Sequence, residues 1–210
     1  MTPEPQVAGS HYQFGRYMHK RRWASMWYQL DEVSRLQPER VLEIGPGPGL
    51  FKAVAGAFGI GVETLDIDPE LRPDHVASVF ELPFADGAFD VVCAFQMLEH
   101  LPFDQSLAAF REMTRVAGKA VVLSLPDAAK RRPYSLDFPG IGVVRFSIPK
   151  LRLRPPRHKS KGQHYWEINK AGYPLKRVTA ELLAQGPVSL ARTFRVHEHL
   201  FHRFFVFMKE

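Results

Sequence analysis

Two acids flank a glycine-rich turn. Glu43 stands just ahead of Gly45-Pro46-Gly47-Pro48-Gly49, and Asp66 follows Gly45 by 21 residues. Glycines at such a turn let the backbone bend tightly and approach a ligand closely. The free amides of a helix that starts there favour polar or anionic groups. A carboxylate ahead of the turn suits a ligand with an ammonium group and repels a pyrophosphate. A second acid about 20 residues on falls where carboxylates meet ribose hydroxyls. Farther along, Glu99 and His100 in "QMLEHL" and His164 in "GQHYWE" are groups that hold or release protons near neutrality. Together these residue types describe a site for a nucleoside carrying an ammonium group, with a base nearby.

Three cofactor readings compete for the turn. A phosphate-binding loop ends in Gly-Lys-Ser/Thr, whereas Leu50 and Phe51 follow Gly49 here. A dinucleotide fingerprint is G-x-G-x-x-G. The spacing here is G-x-G-x-G, with Leu50 where the last glycine belongs, which counts against a nicotinamide cofactor. The third reading, S-adenosylmethionine, agrees with both acids.

The elements that must position these residues read as an alternation. A helix is expected from Tyr12 to Leu36, where Tyr17, Trp23, Trp27, Leu30 and Val33 recur at helical spacing and Pro38 ends the pattern. "RVLEIG", "VETLDID", "HVASV", "FDVVCAF" and "KAVVLSLP" read as five strands, with helices "LFKAVAGAFG" and "DQSLAAFREMTRVA" between them. Strands alternating with helices of this length make βαβ units and a parallel sheet. From Asp127 to about Gly162 the rhythm fails, and proline, glycine and basic residues dominate. That stretch is expected to be a long excursion above the sheet. "PLKRVTAELLAQG" then reads as a helix. "ARTFRVHE" and "HRFFVFMKE" read as two final strands, antiparallel to each other.

The segments "VLEIGPGPG", "LDIDPE", "LPFADGAFDVVCAFQMLEHL" and "FREMTRVAGKAVVLSLP" resemble class I S-adenosylmethionine-dependent methyltransferases, in the group that contains ubiquinone and menaquinone biosynthesis enzymes. The resemblance covers roughly residues 38–126. It implies an α/β, Rossmann-like fold: a seven-stranded, mostly parallel sheet with helices on both faces and the last strand antiparallel. The chain itself reads as a helical cap at 1–37, a cofactor-binding core at 38–126, a basic lid after the fifth strand at 127–168, and a helix with two strands at 169–210 that complete the same domain. By the same resemblance Gly45, Gly47 and Gly49 form the cofactor turn, Glu43 supports the methionine end, and Asp66 binds the ribose hydroxyls. Ile67 packs on adenine, and Phe95 and Gln96 sit beside the reactive methyl. In the family an aspartate often precedes the "LPF" turn and contacts the adenine amine. Here Ser78 takes that place, followed by Val79, whose backbone is left to supply the contact.

Methyl transfer to oxygen requires alignment, exclusion of water and a base. His100 is the leading candidate base, with Glu99 of similar standing and His164 second. Tyr165 and Trp166 are candidate walls of an acceptor pocket. The plain alternative for all of them is local packing. His197, His199 and His202 in "HEHLFHRFF" lack zincin spacing, because Phe201 stands where a histidine is needed. They read as ordinary surface or strand histidines, and no metal is expected.

Charge is unevenly placed. Residues 130–161 hold ten Lys/Arg and one acid, +9, while the rest of the chain carries −3. The excursion therefore reads as a lid for an anionic acceptor such as a phosphorylated sugar, as a contact to anionic lipid over 143–161, or as a solvated loop. In the lipid reading, Val144, Phe146, Ile148, Leu151 and Leu153 alternate with polar or basic residues. Nucleic acid is disfavoured: no separate RNA-binding module is present, and the fourth strand ends "AFQM" rather than in an NPPY-like tetrapeptide. With 210 residues and 45% apolar content the chain builds one domain with a real core, as a monomer or homodimer. The single cysteine, Cys93, sits in an apolar run and reads as a buried thiol, which fits a reducing, cytoplasmic setting. No basic-then-apolar leader pattern and no apolar run near the roughly 20 residues of a membrane span are seen. The function expected is methyl transfer to a small-molecule acceptor at oxygen. The rivals are a non-catalytic protein of the same fold and a nucleic-acid methyltransferase.

Overall fold

The computed structural model describes residues 12–150, 155–158 and 163–210. Five strands, β1 (Val41–Ile44), β2 (Val62–Asp66), β3 (His75–Val76), β4 (Phe89–Phe95) and β5 (Ala117–Pro126), run parallel. Helix α3 (Leu50–Ala57) joins β1 to β2, and α4 (Phe103–Val116) joins β4 to β5. After β5 come a hairpin of β6 (Arg131–Phe138) and β7 (Gly142–Pro149), helix α5 (Leu175–Leu183), then β8 (Val188–Arg195) and β9 (His202–Lys209). The main sheet has seven strands in the order β3-β2-β1-β4-β5-β9-β8, with β9 antiparallel to both neighbours. The reversal of strand order at β1 and β4 opens a crevice at their carboxyl ends, and ligands of open α/β sheets bind in such a crevice.

The sheet is buried on both faces, so its central strands are mostly apolar rather than alternating, with Glu43 and Ser124 as buried polar exceptions. Leu42, Ile44, Val92 and Leu123 pack with α4 and α5 on one side, through Phe110, Met113, Val178 and Leu182. Val41, Val91, Cys93 and Val122 pack on the other side against Phe51 and Ala55 of α3 and Val33. Cys93 is fully buried, as its apolar run suggested.

Several sequence expectations are corrected. The single N-terminal helix is two, α1 (Phe14–Tyr17) and α2 (Lys20–Arg35). The break falls at His19, whose extended backbone lets its Nδ1 accept the Arg22 amide at 3.2 Å and cap α2. Trp23 and Trp27 do not belong to the packed face. They are 54% and 57% exposed, while Ser25, Met26, Glu32 and Val33 face inward. The third strand is only two residues long, and β8 begins three residues earlier than expected, at Val188.

The largest correction lies after β5. The stretch expected to be aperiodic contains a regular antiparallel hairpin, β6–β7. One face pairs Tyr134 with Phe146 and Leu136 with Val144, all solvent-exposed. The other face turns toward the body, where Ser135 pairs with His197 at 3.1 Å and Arg145 with Glu198 at 3.3 Å. Of the alternating apolar residues read for a lipid contact, Val144, Phe146 and Ile148 lie on the outward face, while Leu151 and Leu153 lie outside the described residues. Asp127 ties this region to the sheet: it is buried, and it accepts from Asn169 Nδ2 at 2.8 Å and Arg203 Nε at 2.8 Å. Among the described residues, no helix is long and apolar enough to cross a membrane.

Candidate active site

The turn after β1 holds three left-handed glycines, with φ of +70° at Gly45, +53° at Gly47 and +70° at Gly49. Two of them also need to lack a side chain. A Cβ on Gly45 would meet Met97 Cγ at 2.6 Å, and one on Gly47 would meet the Tyr12 ring at 3.0 Å. Gly49 has open space around it and serves α3 as its N-cap. It contributes conformation rather than a wall.

Two cavities meet at this turn, and Gly45 and Gln96 line both. The larger runs past Asp66, Ile67, Ser78 and Val79 to His100, with Tyr12 at its rim. The Asp66 carboxylate closes the end of β2 and accepts the Asp68 amide at 2.9 Å, and burial raises its pKa. Ser78 Oγ accepts the Phe80 amide at 3.3 Å, which fixes the turn behind the cavity. The smaller cavity is lined by Tyr17, Arg22, Glu43 and Phe95. Glu43 is buried at the carboxyl end of β1, and burial pushes its pKa to about 8. Its Oε2 and the Arg22 Nε have no hydrogen-bond partner among the described residues. A carboxylate and a guanidinium therefore face one small space, each with an unmet bond.

Gln96 carries a further mark. Its φ is +56°, a conformation unfavourable for a side-chain-bearing residue. Its amide donates to Ser124 O at 2.9 Å and its Nε2 to Ser124 Oγ at 3.2 Å, so neighbouring β5 holds it there. Strain maintained by neighbours is typical of functional sites.

The two histidines converge from distant segments. The rings of His100 and His164 lie 5.1 Å apart, edge to face. Tyr165 donates its amide to Glu99 O at 2.8 Å, which pins His164 and Tyr165 against the 3-10 turn Leu98–His100 that follows β4. Glu167 holds His164 Nδ1 at 3.2 Å, leaving Nε2 at 4.0 Å from Glu99 Oε1. Glu99 is fully buried, and burial pushes its pKa to about 8. The expected acceptor wall is corrected at Trp166. That ring is fully buried in the core and donates Nε1–H to Ser106 Oγ at 2.9 Å. Of the C-terminal histidines, His202 is a strand residue at the start of β9, as one of the two readings had it. His202 is buried, pairs with Ser25 Oγ at 2.8 Å, and is held neutral by burial.

Sequence reasoning missed Tyr12, Arg22 and Met97 at the site. Arg22 stands on α2, next to Trp23 and one turn before Met26, and nothing in its local pattern distinguishes it from the other basic residues of that helix.

A methyltransferase-domain family profile matches residues 14–170. The chain belongs to that family. An uncharacterized methyltransferase of Mycobacterium sp. (strain JLS) is 37% identical over 116 residues, 48% of this chain and 44% of the relative. A ubiquinone biosynthesis O-methyltransferase of Xanthomonas axonopodis pv. citri is 29% identical over 158 residues, 66% of this chain and 61% of the relative. The match thus spans less than two thirds of these relatives' length. A methyltransferase structure from Burkholderia thailandensis, with 1,6-didemethyltoxoflavin and S-adenosylhomocysteine bound, superposes with a TM-score of 0.62 over 95% of this chain and 84% of that one, at 15% identity. The fold is the Rossmann-like fold of class I S-adenosylmethionine-dependent methyltransferases, as the motifs implied.

Proposed function

We propose that this methyltransferase binds S-adenosylmethionine across the two cavities and methylates an oxygen of a small-molecule acceptor. The observation that carries the reading is the unmet pair in the smaller cavity. Glu43 and Arg22 suit the ammonium and the carboxylate of one amino-acid zwitterion. Asp66 stands in the adjoining cavity for ribose hydroxyls, with Ile67 and Val79 as apolar walls for a base. The glycine turn joins the two, because a Cβ at Gly45 has no room there.

S-adenosylmethionine supplies a methyl group on a sulfonium, which leaves as a neutral thioether when an oxygen attacks. The chain's own residues orient the acceptor, exclude water and take up its proton. Gln96 is fixed at the junction of the cavities, so it can orient a polar group there. His100 lines the larger cavity and accepts the hydroxyl proton. His164, held by Glu167, backs it. Proximity and orientation contribute most of the acceleration, since no covalent intermediate is needed. A separate cavity under the hairpin is lined by Arg131, Arg145, Arg195 and Arg203; Arg145 pairs with Glu198, and Arg195 and Arg203 with Asp127, so an anionic acceptor rests on the charge of the 130–161 segment alone.

The test is calorimetric titration with S-adenosylmethionine and S-adenosylhomocysteine. Micromolar binding is expected, weakened at least tenfold in Asp66→Ala, in line with about 1.5–3 kcal/mol for a hydrogen bond to a charged group. Absence of binding to either ligand in folded protein sinks the reading, and undiminished binding by Asp66→Ala removes the ribose assignment.

A further inference from the structure

Glu99, His100 and His164 place a carboxylate oxygen and two imidazole nitrogens within 4.8 Å of one another. Three features suggest more than packing. The Glu99 carboxyl is completely buried, and beyond its own backbone amide no described residue hydrogen-bonds either oxygen. Such a group is costly to bury unless something binds it. Glu167 holds His164 Nδ1, so Nε2 is the nitrogen left facing Glu99. A carboxylate behind the imidazole is the usual outer partner of a metal-bound histidine. The backbone bond from Tyr165 to Glu99 fixes the two segments together, so the cluster does not depend on a mobile tip.

We propose that Glu99, His100 and His164 form a binding site for a divalent transition-metal ion, with Zn2+ the best match to the donor set. Two imidazoles and one carboxylate suit borderline ions, whereas Mg2+ and Ca2+ prefer all-oxygen sites. Bonds of about 2.0–2.2 Å set tetrahedral ligand atoms about 3.3 Å apart. The side-chain tips therefore draw together by up to roughly 1.5 Å, which small rotations of His100 and His164 provide. Three protein ligands leave a position open. His100 also lines the larger cavity, so the cluster borders that space. On the methyl-transfer reading, an acceptor oxygen there would complete the coordination, and the ion would lower the pKa of its hydroxyl in place of proton uptake by His100, whose nitrogen the ion would then hold. The site itself stands on the side-chain cluster alone; only this last role rests on the methyl-transfer reading.

The experiment uses tag-free full-length protein, stripped with chelator and dialysed. Zn2+ is titrated calorimetrically, bound zinc is counted by elemental analysis, and Co2+ is titrated optically. S-adenosylhomocysteine binding is measured on the same samples. Wild type is expected to bind one Zn2+ and to give visible cobalt bands of low-symmetry nitrogen and oxygen coordination. His164→Gln and Glu99→Gln are each expected to weaken zinc at least tenfold, with thermal melting confirming that they fold. His199→Gln, a histidine outside the cluster, should keep the ion. No stoichiometric zinc in wild type, or equal zinc binding by folded His164→Gln, overturns the proposal. Zinc bound without S-adenosylhomocysteine keeps the metal site and removes the cofactor reading. The opposite result does the reverse.

Discussion

Glu43 enters folding as an acid that would rather stay neutral. Its pKa of about 8 is caused chiefly by burial, so near neutral pH the free protein holds it largely protonated. A ligand ammonium favours the carboxylate. At about pH 6.5, binding of S-adenosylmethionine is therefore expected to release a proton, seen as a buffer-dependent heat in calorimetry. Glu43→Gln should abolish that release and weaken binding. The same group governs stability in the free protein. Its folded pKa lies above the unfolded one, so the stability present at low pH is lost as pH rises through about 8. Glu99, also near 8, adds to the loss. Glu43→Gln should flatten the decline in melting temperature between about pH 4.5 and about pH 8. At this scale the sequence was informative through residue type and spacing at Glu43, Gly45, Asp66 and His100, and through the family resemblance at Ile67, Ser78, Val79 and Gln96. Glu43, Gly45, Asp66, Ile67, Ser78, Val79, Gln96 and His100 do share one pair of cavities. It was silent on Arg22 and on the strained backbone of Gln96, because what distinguishes them is a long-range neighbour: Glu43 for the first, Ser124 for the second.

Among the elements, the turn after β1 makes the sharpest demand. Gly45→Ala combines a left-handed φ with a Cβ at 2.6 Å from Met97. It should cost about 1–3 kcal/mol in denaturant unfolding and reduce cofactor binding. Gly49→Ala pays only the conformational part, so it should be milder in binding than in stability. The βαβ elements were legible because buried parallel strands are short apolar runs bounded by glycine and acids. The hairpin β6–β7 was not. Its composition of proline, glycine and arginine resembles a loop, and its apolar alternation points outward, the reverse of what a half-buried strand shows. Only the pairing of Tyr134 with Phe146 and Leu136 with Val144 across the turn reveals it. α2 misled for a related reason: tryptophans at helical spacing imply a packed face, yet the packed face is built from smaller residues beside them.

For the whole molecule, Asp127 is the fastening. It lies where β5 gives way to the hairpin, and it binds Asn169, Arg195 and Arg203. Asp127→Ala leaves two arginines uncompensated in a largely buried place, so a loss of about 3–5 kcal/mol is expected in urea unfolding. The hairpin and the C-terminal strands should loosen together, seen as faster amide exchange in β8 and β9 than in β1 and β4. Strand order adds something that belongs to time rather than to contacts. β9 lies between β5 and β8, so β8 is synthesised before the strand it must lean on. Until His202–Lys209 has emerged, the growing chain carries β5 as a naked edge with the apolar run Val121, Val122 and Leu123 unpaired. An edge of that kind recruits strands from other molecules. The nascent protein thus passes through a sticky interval that closes only when β9 slots into the gap.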